Sequence, residues 1–286
     1  MILDKVKKLF TGGEWRVAFK AKEDSAFQVV SLPKGLWAAD PMLYKHGDKH
    51  YLFTEIYETA KKRAAIGYFE FINDVPVYQG LIIENDYHMS YPCVFAYGDS
   101  IYMIPESSAN NSLDLYKAID FPKKWEKECT LIDGCDYVDT TVYIKDKVVY
   151  LFSYKKVKEG WDLVTFTLDM KSKSLEEKDT LHFTKNIGRP AGCLIDNDVL
   201  LRPAQDSSRK YGEAIILNEV VSLSPYKEKL FKKLTISDFP ISKKAKRIHT
   251  YGEDDRFVVV DYFIEQFELF HAFEIYKRSH FNKKAK

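Results

Sequence analysis

The chain has 286 residues, 45% of them hydrophobic and 15% aromatic, which is ample for a packed core in one or two domains. Its 43 basic and 42 acidic residues leave a formal charge of +1, so no nucleic-acid partner is expected on electrostatic grounds. Residues 1–10 are too charged for a secretory signal, and no apolar run reaches the ~18 residues of a membrane span, so a cytoplasmic protein without an integral membrane segment is expected.

In chain order, residues 1–10 could form a short amphipathic helix and 14–20 reads as an isolated strand. A hairpin follows: Pro41-Met42-Leu43-Tyr44, a turn at His46-Gly47-Asp48-Lys49, then Tyr51-Leu52-Phe53-Thr54. The pattern returns around the turns Gly98-Asp99-Ser100, Lys145-Asp146-Lys147 and Asp196-Asn197-Asp198, and again around residues 252–255. Aromatic and β-branched runs joined by Gly, Asp and Asn turns are hairpins. Two further strand candidates follow each of the first four hairpins: 64–71 and 75–84, 113–118 and 125–132, 161–168 and 176–183, 213–221 and 227–234. The fifth unit has one more, 267–277, and then the chain ends.

The opening strands carry Asp40, Tyr91, Asp139, Arg189 and His249 at matched places, 48 to 60 residues apart. A period near fifty residues filled with short strands is the signature of propeller blades. The expected fold is all-β, a single five-bladed β-propeller of four-stranded blades over 37–85, 88–133, 136–185, 187–236 and 247–278, with 14–20 closing the ring. Closure by a strand from the other terminus removes open sheet edges.

Innermost strands line a propeller's axis, so the five matched side chains should converge there. Two carboxylates, a guanidinium, an imidazole and a phenol make a concave polar site for a ligand. The second strands add Glu55, Glu106, Arg202, Gln205, Asp206 and Asp261. Paired carboxylates suit glycosyl chemistry, with Asp40 as base, Asp139 tuning a neighbour or holding a hydroxyl, and Glu106 as a candidate acid. Arg189 and Arg202 would meet a phosphate or carboxylate on the ligand. Trp37 could stack on a sugar ring, and His88, Tyr211 and His249 complete the candidate binding set.

No cofactor is expected: there is no Gly-x-Gly-x-x-Gly, Walker loop or Gly-x-Ser-x-Gly. No metal is expected either, since Cys93, Cys129, Cys135 and Cys193 form no Cys-x-x-Cys pair and no His spacing suggests zinc. Cys93 and Cys193 read as small core residues, while Cys129 and Cys135 could pair only if geometry allowed. The Lys-rich tracts at 243–247 and 283–286 read as solvated loops or tails, with contact to an anionic surface as the alternative.

The strings Ala39-Asp40-Pro41, Ser90-Tyr91-Pro92, Met103-Ile104-Pro105-Glu106-Ser107, Asp139-Thr140-Thr141-Val142, Arg189-Pro190-Ala191-Gly192, Arg202-Pro203-Ala204-Gln205-Asp206, Tyr211-Gly212 and His249-Thr250 carry a resemblance. Together they resemble the N-terminal domain of plant glucosamine inositolphosphorylceramide transferases, over roughly residues 14–278. Bacterial relatives occur in cell-surface polysaccharide loci, some fused to sugar formyltransferases. The family is similar in fold to five-bladed furanosidase-like glycoside hydrolases, which use an Asp on the first blade, an Asp near the third and a Glu acid. The resemblance puts Asp40 and Asp139 in the two Asp roles, but the acid's place near the fourth blade holds Arg189, and Glu213 lies on an outward strand.

The expected function is a carbohydrate-active enzyme of cell-surface glycan or glycolipid assembly, most simply glycosyl transfer from a phosphate-activated donor. Its partners would be a sugar or glycan substrate and other enzymes of glycan assembly. A furanosidase-like hydrolase and a non-catalytic glycan-binding propeller are the alternatives.

Overall fold

A computed structural model describes residues 11–267 of the chain. It is a five-bladed β-propeller of antiparallel sheets. The first blade comprises Leu36–His46, Lys49–Glu58, Arg63–Ile72 and Val75–Ile83, innermost strand first. The second runs Ser90–Tyr97, Ser100–Ser107, Ser112–Asp120 and Lys124–Asp133. The third runs Val138–Lys145, Val148–Val157, Gly160–Asp169 and Ser174–Phe183, and the fourth Ile195–Asp196, Leu200–Asp206, Ala214–Leu223 and Tyr226–Thr235.

The fifth blade closes the ring. Ala245–Arg247 and Tyr251–Glu253 both pair with Phe257–Phe267, whose other edge pairs with the N-terminal strand Thr11–Ala21 along its whole length. Gln28–Val29 adds a short outer strand. The N-terminal segment is therefore the third strand of this sheet, the place the sequence pattern gave to 267–277, most of which lies outside the described residues. Residues 1–10 lie outside them too.

Second strands such as Lys49–Glu58 are buried almost throughout because both faces meet neighbouring blades, whereas outer strands such as Lys124–Asp133 are mostly exposed. Sharp links hold the strands in register: Asn73-Asp74 and Asp146-Lys147 both have positive φ, the two-residue hairpin geometry that matches strand twist.

Five apolar clusters sit between successive blades. Phe53 and Ile66 of the first blade pack on Val94 and Met103 of the second, and Ile104 and Leu115 of the second on Leu151 and Val164 of the third. Phe152 and Tyr154 meet Tyr226, Ile215 and Leu217 meet Val260 and Tyr262, and Val17 and Val259 return to Leu52 and Phe69. Each fully buried side chain of this kind contributes about 1.5–3 kcal/mol, so the ring is held by its blade interfaces.

One local device recurs in the first three inner strands. Two residues, Asp40-Pro41, Tyr91-Pro92 or Asp139-Thr140, lie opposite a single residue of the second strand, so each strand bulges. The first residue of each bulge is left-handed, with φ of 51° at Asp40, 47° at Tyr91 and 50° at Asp139. Left-handed backbone costs a non-glycine residue about 1–2 kcal/mol, which packing and hydrogen bonds must offset. Proline is tolerated at bulges because no ladder hydrogen bond is lost there.

The last two inner strands are broken rather than bulged. The strand expected at 191–195 is reduced to Ile195–Asp196 and a bridge between Pro190 and Ala204. Gly192, at φ 133°, passes so close to the Tyr251 carbonyl that a Cβ would lie 2.1 Å from its oxygen. In the fifth blade the inner strand is interrupted at His249-Thr250, whose amides turn to a side chain instead of a ladder.

Candidate functional site at the propeller axis

The bulged and broken strands bring side chains from all five blades into one network. Asp40 and the fifth blade form its first half. The Asp40 carboxyl accepts from Thr250 Oγ1 at 2.9 Å, and the Asp40 amide donates to Asp261 Oδ2 at 3.1 Å. Asp261 also holds His249: Oδ2 lies 2.5 Å from Nδ1, while Oδ1 accepts the His249 and Thr250 amides at 3.0 and 2.9 Å. The imidazole stacks on Trp15, centroids 3.8 Å apart, and meets the edge of Tyr211 at 5.0 Å.

Asp139 organises the second half. Arg189 donates to it from Nε at 2.5 Å and from Nη2 at 3.0 Å, and Gln205 Nε2 donates at 2.9 Å. Glu106 Oε2 accepts from Arg189 Nη2 and from the Asp139 amide, both at 3.3 Å, and its other oxygen accepts from Ser108. Glu55 pairs with His88 across 3.3 Å. Asp40, Asp139 and Asp261 are buried, whereas the side chains of Arg189 and His88 are 22% and 42% exposed, so the network opens to solvent on the Arg189 side.

Burial dominates the charges. It raises the Asp40 carboxyl to about 8; the His249 ring opposes this, while Asp139, Glu55 and Asp261 add to it. Burial likewise raises Asp139 to about 7, against the pull of Arg189 and with the help of Glu106. For His249 burial acts downward, but Asp261 and Asp40 outweigh it and hold the imidazole above its ordinary value. His88 is raised by its hydrogen bond to Glu55.

Four expected ligand residues have other employment. Tyr91 is fully buried and pins the inner strands together: its hydroxyl meets Thr141 Oγ1 at 2.6 Å, receives the Gly192 amide at 2.7 Å and faces the Gly192 carbonyl at 3.1 Å. Arg202 turns away from the axis into the seam between the third and fourth blades. There Glu228 receives it at two nitrogens, each at 2.8 Å, and Tyr226 and the Gly188 carbonyl take the rest. Asp206 is held by Ser208 and by Lys233 at 2.6 Å. Trp37 stacks on Tyr57 with centroids 4.5 Å apart and lines a groove with Trp15, Val30 and Leu36. Glu213 pairs with Arg209, outside the axial network.

Trp15, Thr250 and Ser108 belong to the site and were not singled out from sequence. Trp15 lies on the closing strand, and its place in the site depends on which sheet that strand joins. The four cysteines are free, Cys129 and Cys135 included. Asp40, His249 and Asp261 have ligand-type atoms close enough together to hold a cation. They already satisfy one another, and a cation would have to displace the proton shared by His249 and Asp261.

Fold and site together define a five-bladed propeller with a polar, partly buried cluster on its axis. Residues 14–256 match the family described as Glucosamine inositolphosphorylceramide transferase 1, N-terminal, and the chain belongs to that family. Glucosamine inositolphosphorylceramide transferase 1 of Arabidopsis thaliana is 30% identical over 233 residues, 76% of this chain and 30% of that protein. The protein of the same name from Oryza sativa subsp. japonica is 29% identical over 208 residues, 67% of this chain and 27% of that one. The chain thus spans less than a third of the length of these relatives.

Among solved structures, a thermostable family-43 glycoside hydrolase superposes with a TM-score of 0.55 at 14% identity, covering 81% of this chain and 89% of that one. Zg3597, a family 117 glycoside hydrolase from Zobellia galactanivorans, superposes with a TM-score of 0.56 at 10% identity, covering 92% of each chain. At these identities the likeness is one of fold.

Proposed function

We propose that the axial cluster is the sugar site of an enzyme of cell-surface glycan or glycolipid assembly, and that it transfers a glycosyl group to an acceptor hydroxyl. The observation that carries this is Asp40: a buried carboxyl raised to about 8, hydrogen-bonded by Thr250 and flanked by an imidazole. A carboxyl poised near neutral pH is what general base catalysis requires. In its ionised form it would take the acceptor's proton as the new bond to the anomeric carbon forms. The bond to the departing phosphate breaks in the same displacement, and Arg189, the guanidinium on the side of the network that opens to solvent, would meet that phosphate. The name of the relatives supports an acceptor of the phosphorylated-lipid class, and the four free cysteines suit the reducing compartment of a cytoplasmic protein.

With Arg202 withdrawn, one guanidinium remains for an anionic donor, and it is already matched by Asp139 and Glu106. That observation favours a second reading, a glycan-binding propeller that serves a partner enzyme. The test is turnover of nucleotide sugars with phospholipid-linked acceptors by the wild-type chain and by Asp40→Asn. Transfer abolished by the substitution supports the base. Transfer untouched by it sinks that role, saturable sugar binding without turnover supports the second reading, and release of reducing sugar without a donor would mean hydrolysis.

A further inference from the structure

The outer edge of the fourth blade exposes bulky apolar and basic side chains together. Among the described residues, Tyr226–Thr235 is the outermost strand of its sheet and pairs on one side only, with Ala214–Leu223. Leu217 faces Lys232 and Asn218 faces Leu230, so Phe231 is the extra residue of a bulge. Leu230 and Phe231 stand side by side in water, 68% and 53% exposed. Lys227, Lys229, Lys232 and Lys233 surround them and are all exposed; Glu228 turns inward to Arg202, while Lys229 pairs with Glu219 at 3.0 Å and Lys233 with Asp206 at 2.6 Å.

Lysines alone would be ordinary protection of a sheet edge against unwanted pairing. Two adjacent bulky apolar side chains defeat that purpose. The bulge that extrudes them also interrupts the edge ladder, which argues against a peptide adding as a further strand. An apolar wedge set among ammonium groups instead complements a bilayer with anionic headgroups: the wedge enters the acyl boundary and the lysines meet phosphates. We propose that this edge docks the propeller on an anionic lipid surface. Lys233 reaches Asp206, the neighbour of Gln205, whose amide holds Asp139, so the docked edge adjoins the side of the blade that feeds the axial site. The proposal goes beyond the catalytic reading and needs no turnover.

The test is co-sedimentation of the full chain with phosphatidylcholine vesicles with and without phosphatidylserine. Binding is expected only with the anionic lipid, should fall about tenfold in Phe231→Glu and in Lys232→Glu, and should weaken with added salt. Ile119→Glu, at an apolar residue of the second blade that is 52% exposed, and Asp40→Asn should bind as wild type. Equal binding to neutral vesicles, no binding at all, or full binding by Phe231→Glu would each overturn the proposal. So would self-association on gel filtration that Phe231→Glu abolishes, which would make the edge a contact between copies of the chain.

Discussion

Arg189 clasps Asp139 through two nitrogens, with Nε at 2.5 Å from Oδ2 and Nη2 at 3.0 Å from Oδ1. The pair joins the third blade to the fourth, and the same Nη2 reaches Glu106 of the second. Removing one partner of a buried pair leaves the other charge uncompensated, at a cost of about 3–5 kcal/mol. Arg189→Ala should therefore lose roughly that much on urea unfolding. Arg189→Lys should lose less, because an ammonium keeps the charge but not the fork. A loss under about 1 kcal/mol in Arg189→Ala would show that Asp139 takes up a proton, or is balanced by solvent, once the guanidinium is gone.

Asp40 sets a pH dependence with a definite sign. Its carboxyl is raised to about 8 in the fold, so between the ordinary carboxylate range and pH 8 the native state holds a proton that the unfolded chain has released. Stability from this group is greatest at low pH and is lost as pH rises through 8. Asp40→Asn keeps the acceptor for Thr250, tolerates left-handed backbone, and has no charge to bury. Its melting temperature relative to wild type should rise from pH 5 and level off above pH 8. A difference of at least about 1.4 kcal/mol, one pKa unit, is expected across that range. A flat difference would mean that His249 fully compensates the Asp40 charge.

The fold was legible because blades repeat: the turn residues and the fifty-residue spacing report local chain chemistry. The convergence of Asp40, Asp139, Arg189 and His249 followed from the same spacing. Where reading failed, the cause was side-chain direction. Arg202 and Gln205 lie on one strand three residues apart, and opposite faces of that strand meet the Glu228 seam and the axis. Pattern alone does not say which face is which when a strand is buried on both. The bulges were hidden as well. A left-handed Tyr91 is not foreseeable from sequence, since tyrosine has no preference for that region, and its phenol is thereby aimed at Gly192 rather than at a ligand.

Tyr91→Phe tests that pinning role. The substitution leaves the buried Gly192 amide without its acceptor, while Thr141 keeps its bond to the Gly192 carbonyl, and should cost about 1–3 kcal/mol. Sugar binding per folded molecule should be unchanged by calorimetry. A protein of wild-type stability with weakened binding would return Tyr91 to the ligand set.

Arg202 and Glu228 separate structure from binding at the fourth blade. Arg202→Ala strands a buried carboxylate and should destabilise by about 3–5 kcal/mol. The double variant Arg202→Met, Glu228→Leu removes both charges from a seam already lined by Phe152 and Tyr226, leaving the Tyr226 hydroxyl and the Gly188 carbonyl as the polar remainder. Apolar replacements of whole buried pairs are often neutral, so most of the lost stability should return. If the guanidinium served only the seam, the double variant should bind and turn over sugar as wild type. If it keeps its stability but loses the ligand, Arg202 must reach the axis in the bound state, and the case for two guanidiniums around an anionic donor is restored.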